Sequence, residues 1–154
     1  MGIVYTPAER AHARHLRERG VAMPFTNANP VAVLVATIAV FILGYIWYVP
    51  LFGAKWRALT GRTEAEGREP RVLALLFLAT LVVAFVLGEF ASYAGASTLT
   101  GGALIGLLAW FGFYAATSFA DALAERSAPA LYFIDNGYYL TSFVIMGAII
   151  GAVR

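Results

Sequence analysis

The chain has 154 residues, of which 60% are apolar and 13% charged, with 15 glycines, no cysteine and a formal net charge of +2. Soluble domains carry about 25% charged residues. Half that share, with a mean hydropathy of +0.74, excludes an ordinary soluble enzyme, a disordered chain and a compact nucleic-acid module. The length suits one domain. Without cysteine there are no disulfides, thiolate metal sites or thiol nucleophiles.

Residues 1–29 form a polar tail. Thr6, Pro7 and Glu9 stand at the N-cap, N1 and N3 positions of a capping box, and Gly20 supplies a stop. This predicts a short polar helix outside the bundle. It carries Arg10, His12, Arg14, His15, Arg17 and Arg19. Its apolar face, Ala8, Ala11 and Leu16, is too small for firm insertion into lipid. A solvated or frayed tail is therefore expected, with contact to anionic lipid head groups or a partner as the alternative. The first 20 residues contain no apolar h-region, so no secretory leader is expected.

Four apolar runs follow, at 31–49, 72–88, 102–120 and 131–153. A membrane-spanning helix needs about 20 such residues. None of the runs has the polar outer face of a soluble bundle helix, and none alternates like a barrel strand. An all-α integral membrane protein is predicted, a four-helix bundle of two hairpins with spans at about 31–51, 71–93, 101–121 and 130–153. The transmembrane domain is then 30–154. Residues 53–70 read as a polar loop, 94–101 as a tight turn and 122–130 as a short connection, with Pro129 opening the last span. Lys and Arg number five on one side and six on the other. Lys55, Arg57, Arg68 and Arg71 lie close to the spans, which leans the first loop towards the cytoplasm.

Trp47, Tyr48 and Trp56 suit the head-group level, where an aromatic ring half-dissolves and its N–H or O–H meets water. Pro50 lacks a backbone donor and favours a helix end or kink there. Phe41, Tyr45, Tyr48 and Phe52 recur at spacings of 4, 3 and 4 and should share a face. Spans one and three run the same way, so Asp121 and Asp135 should meet on the side of Trp47 and Tyr48. The stripe Phe111, Tyr114, Ser118, Asp121 would face Asp135, Tyr138 or Tyr139, Ser142 and Met146 across a polar, aromatic notch. Asp135 sits one turn inside its span. It is a candidate ligand for an ion or solute, with Asn136, Tyr138, Tyr139 and Asp121 beside it. The alternative is a cap-like or interhelical hydrogen bond between Asp135 and Asn136 or a tyrosine. Glu89 is placed at the opposite end, near Ser92, Tyr93, Asn27 and Asn29.

Gly102 and Gly106, Gly147 and Gly151, and Ala91 with Gly95 stand four apart. Small residues so spaced allow close helix approach, within the bundle or between copies. HExxH, GxSxG, the P-loop and GxGxxG are missing, so a non-enzymatic protein without cofactor or metal is expected. His12 and His15 with Glu9 are not expected to bind metal.

Asn29, the run Trp47-Tyr48-x-Pro50-Leu51-Phe52-Gly53-x-x-Trp56, the glycine-rich start of span three and Phe133-Ile134-x-Asn136-Gly137-Tyr138 together resemble a family. It is the bacterial membrane family catalogued as domain of unknown function 1761. The resemblance covers about 25–154. It implies a four-span membrane protein and supplies no catalytic residues. The Arg/His-rich stretch before Met23 departs from it.

The first functional expectation is a non-enzymatic multi-pass protein of a bacterial inner (plasma) membrane. It would act by association, as a homo-oligomer or as an accessory subunit of a membrane complex, with lipid around it and no nucleic-acid partner. The second is a small ion or solute transporter or channel that uses Asp135, Asp121, Tyr138 and Tyr139, with Glu89 at the far mouth.

Overall fold

The computed structural model describes residues 27–63, 65 and 69–153. The polar helix expected at 6–20 lies outside the described residues. Five helices make up the described fold. They are α1 (Pro30–Leu51), α2 (Gly53–Thr60), α3 (Pro70–Tyr93), α4 (Leu99–Ala124) and α5 (Pro129–Ala152). All but α2 are long and apolar enough to cross a membrane. The architecture is all-α, as composition and apolar runs predict.

Local chemistry sets the ends. The Asn29 side chain caps α1 by accepting from the Val31 and Ala32 amides. Thr98 caps α4 by accepting from Gly101 N–H. Prolines open α1, α3 and α5 at positions where a missing N–H costs nothing. At the end of α3, Gly95 takes φ +68°. The Ala96 amide donates to the Ala91 carbonyl, and the Gly95 amide donates to the Ser92 carbonyl. This is a Schellman closure, which satisfies carbonyls that would otherwise be orphaned. Gly95 therefore serves the turn. A Cβ there would meet nothing, so the expected Ala91/Gly95 packing seam is absent.

Two spans contain π-helical turns, Trp47–Leu51 in α1 and Trp110–Ala115 in α4. In α1 the Phe52 amide reaches back five residues to the Trp47 carbonyl. Pro50, inside this turn, has no amide to keep the ordinary four-residue ladder. A π-turn inserts a residue and shifts the faces beyond it. Neither predicted stripe holds as a single face. Phe41 packs on Phe77 of α3 and Phe52 on Trp47, while Tyr45 stays 62% exposed. Phe111 is 67% exposed and separates from Tyr114 and Ser118. The expected polar loop at 53–70 also holds α2, which ends at Gly61 in the left-handed conformation.

Helix α5 is the hub. It touches α1, α3 and α4, and its most extensive contact is with α4. That contact is built on glycine. A Cβ on Gly102 would run into the backbone of Gly147, one on Gly106 into that of Phe143, and one on Gly151 into that of Thr98. The predicted glycine motifs therefore pack inside the bundle, backbone against backbone. The core continues in small residues, with Ala32, Val33, Ala36 and Val40 of α1 against Ala84, Leu87 and Ala91 of α3 and Met146 and Ile150 of α5. All of these lie in the half of the bundle that holds the start of α1 and the end of α5. Aromatic and polar groups hold the other half.

Gly147→Ala forces backbone apart at this seam. It should lower stability by about 1–3 kcal/mol, the usual cost of overpacking, and so lower the melting temperature in detergent. A Cβ on Gly112 meets nothing, so Gly112→Ala should leave the melting temperature unchanged or raised. Equal melting temperatures for the two variants would refute the role given to the seam.

Candidate functional site

Asp135 lies six residues into α5, about 9 Å along its axis at 1.5 Å per residue. That is nearer two turns inside the span than the expected one. Its Oδ1 accepts a hydrogen bond from the Tyr48 hydroxyl at 2.9 Å and another from Trp56 Nε1 at 3.1 Å. Both donors are neutral. The other carboxylate oxygen has no hydrogen bond from any described residue. The structural alternative for Asp135 is a cap-like or interhelical hydrogen bond to Asn136 or a tyrosine. The bond is interhelical and to a tyrosine, Tyr48, 87 positions away.

Two features bring the donors there. The π-turn aims Tyr48 at α5, and α2 folds back to carry Trp56 over the same carboxylate. Trp47 Nε1 donates to the Ile134 carbonyl at 3.1 Å. Trp47, Tyr48 and Trp56 thus form a buttress clamped onto α5, beyond the interfacial belt expected of them. Glycines again give the space. A Cβ on Gly137 would stand 3.1 Å from the Trp47 ring, and one on Gly44 would stand 3.1 Å from the Tyr138 hydroxyl. The Tyr138 ring fills the gap so formed, edge-on to Tyr48 at 5.1 Å between centroids.

On its other side Asp135 borders an open cleft of about 190 Å³ between α4 and α5. Tyr114, Ser118, Asp121 and Glu125 line it from α4 and its C-cap, and Tyr132, Asp135 and Asn136 from α5. Among the described residues no lining residue is basic. Asn136 is 7% exposed. It accepts from the Ser118 hydroxyl at 3.1 Å and donates to the Tyr132 carbonyl at 3.2 Å. Tyr114 stacks on Tyr139 with centroids 4.0 Å apart. The notch is therefore real but shallower than the stripes imply. Asp121, Asp135 and Asn136 meet in it. Tyr139 supports its wall from behind, Tyr138 turns to α1, and Ser142 and Met146 are buried in the core.

Glu89 is separate, at the opposite end. It is 2% exposed. Its Oε1 accepts from the Asn27 and Ala28 amides at 3.1 and 3.0 Å. It thus satisfies two backbone donors at the entrance to α1, where the helix dipole favours negative charge. The Ser92 hydroxyl donates to the Asn27 carbonyl, and the Asn29 amide group donates to the Val153 carbonyl at 2.9 Å. Glu89 and Ser92 thus tie the end of α3 to the entrance of α1, and Asn29 ties that entrance to the end of α5. Glu89 Oε2 is buried without a partner among the described residues, as is Trp110 Nε1.

Sequence reasoning placed Asp135, Asp121 and Tyr48 at one end. It missed Trp56 as a donor to Asp135 and Ser118 as a donor to Asn136. The left-handed stop at Gly61 is the signal that could have disclosed α2.

The family described as Protein of unknown function (DUF1761) matches residues 31–151. The chain belongs to that family, as the resemblance of its aromatic and glycine motifs implied. No curated protein and no solved structure matches it.

Tyr48→Phe removes one of the two donors to Asp135. It should destabilise by about 1.5–3 kcal/mol, the range for a hydrogen bond to a charged group. Asp135→Asn keeps an oxygen able to accept from both Tyr48 and Trp56 and should fold. Thermal unfolding in detergent reads both. At the other end, Glu89→Gln keeps a carbonyl for the Asn27 and Ala28 amides, whereas Glu89→Leu leaves two amides unpaired. A melting temperature no lower for Glu89→Leu than for Glu89→Gln would contradict the capping role.

Proposed function

We propose that this DUF1761 protein is a small-solute transporter of a bacterial plasma membrane, with the Asp135 cleft as its binding site. Four spans of sufficient length and hydropathy support the membrane placement. One observation carries the functional reading. A carboxylate within a span is held by two neutral donors, faces no basic residue among those described and borders an open cleft. An acid inside a hydrophobic span costs about 2.5–3.5 kcal/mol at its centre. Where no internal cation offsets that cost, the natural role of the charge is to meet a ligand. The rigid aromatic buttress fixes the carboxylate, and the cleft opens at the end of the bundle to admit a solute.

Association is the second reading, as a homo-oligomer or as an accessory subunit of a larger complex. Its support is the poor coverage of α4. Only 11% of the most apolar stretch of this span is buried, against 33% for α5. The glycine seams no longer support it, because the bundle uses them internally.

Proteoliposomes holding the purified protein should accumulate at least one solute from a panel of small cations and amines. Asp135→Asn, correctly folded, should abolish that uptake. Unchanged uptake in the variant, or none by the wild type across the panel, would overturn the transport reading. A larger species in mild detergent would support the association reading, and a monomer with no co-purifying protein would end it.

A further inference from the structure

The chemistry of the cleft points to one class of occupant. Its charged groups are all carboxylates, Asp121, Glu125 and Asp135, and its walls include the Tyr114 and Tyr132 rings. A cation is the complementary ligand. The donors do not suit a divalent metal ion. Among the described residues no three His, Cys, Asp or Glu side chains converge to hold one. Asp135 Oδ1 is already occupied by two hydrogen-bond donors, which leaves a single free oxygen to offer.

What the cleft does offer is one fixed carboxylate oxygen beside aromatic faces. That combination recognises an alkylammonium group. The ammonium charge meets the carboxylate, and its weakly hydrated methyl or methylene groups lie over the rings. Tyr114 cannot swing away freely, because Tyr139 is stacked on its other side at 4.0 Å. The adjoining Asn136 is locked by Ser118 and the Tyr132 carbonyl, so this wall of the cleft is preformed. A volume of about 190 Å³ lies below the roughly 300–1,000 Å³ of pockets for drug-sized ligands. It fits a compact head group.

We propose that the cleft between α4 and α5 binds a small organic ammonium ion, with Asp135 as counter-ion and Tyr114 and Tyr132 as its aromatic walls. This rests on the reading of Asp135 as a solute site and adds the class of solute.

The test is equilibrium binding to the full chain in mild detergent, read by calorimetry. The probes are tetramethylammonium, methylammonium, sodium, potassium and calcium ions. Tetramethylammonium should bind more tightly than the inorganic ions, and Asp135→Asn should abolish its binding. Tyr114→Leu should weaken it by roughly 3- to 30-fold, the span of a cation–π contact, and Phe at 114, which restores the ring face, should recover most of that loss. If Tyr114→Leu does not fold, Tyr132→Leu and Tyr132→Phe make the same comparison. Asp135-dependent binding of inorganic cations in preference to the ammonium ions would overturn this proposal and leave the solute site standing. Equal weakening by Leu and Phe would likewise overturn the aromatic walls. Failure of every probe to bind would remove both the proposal and the reading beneath it.

Discussion

Helices α4 and α5 touch backbone to backbone, and the rest of the bundle is arranged around that contact. At Gly102, Gly106, Gly147 and Gly151 there is no room for a Cβ on either side. In lipid there is little hydrophobic drive to bring helices together, so close van der Waals approach has to supply it. The seam lies towards the end of the bundle that holds the start of α1 and the end of α5. There the small residues of α1 and α3 close on the same hub, and Glu89 and Asn29 tie the chain ends with hydrogen bonds.

The tightness of that end shapes the other. The seam glycines give way to Asn136 and Tyr139 towards the start of α5, and to Tyr114 towards the end of α4. Bulk there prevents the same close approach, and the cleft opens. Its counterpart on the α1 side is filled, because Trp47, Tyr48 and Tyr138 occupy the space that Gly137 and Gly44 leave free. One face of α5 is thus sealed by aromatics and the next is open. Asp135 lies between them, fastened on the sealed side and available on the open one.

The π-turns make this arrangement possible. A regular α-helix through Pro50 would continue the face that carries Tyr45 out of the bundle. The extra residue instead turns Tyr48 inwards and lets the chain reverse into α2. Non-standard turns of this kind are frequent at functional sites. In lipid they are tolerable because the displaced backbone groups still find partners, as Phe52 and Trp47 do.

The sequence by itself determined the fold class, the four long helices, their polarity and hence which residues share an end. Hydropathy and length decide those, and antiparallel hairpins then place Asp121, Asp135 and Tyr48 together and Glu89 away from them. Proline and asparagine caps set most of the helix starts for local reasons. Only the tertiary structure decided what the charges and glycines do. Periodicity assumes 3.6 residues per turn, and the π-turns break it at Trp47–Leu51 and Trp110–Ala115, so a stripe such as that from Phe111 to Ser118 does not hold across them. Spacing shows that two glycines share a face but not which face they meet, and here they meet each other across α4 and α5. The donors to Asp135 come from 79 and 87 positions away, and a hydrogen bond across that distance depends on how helices pack, which no local pattern records.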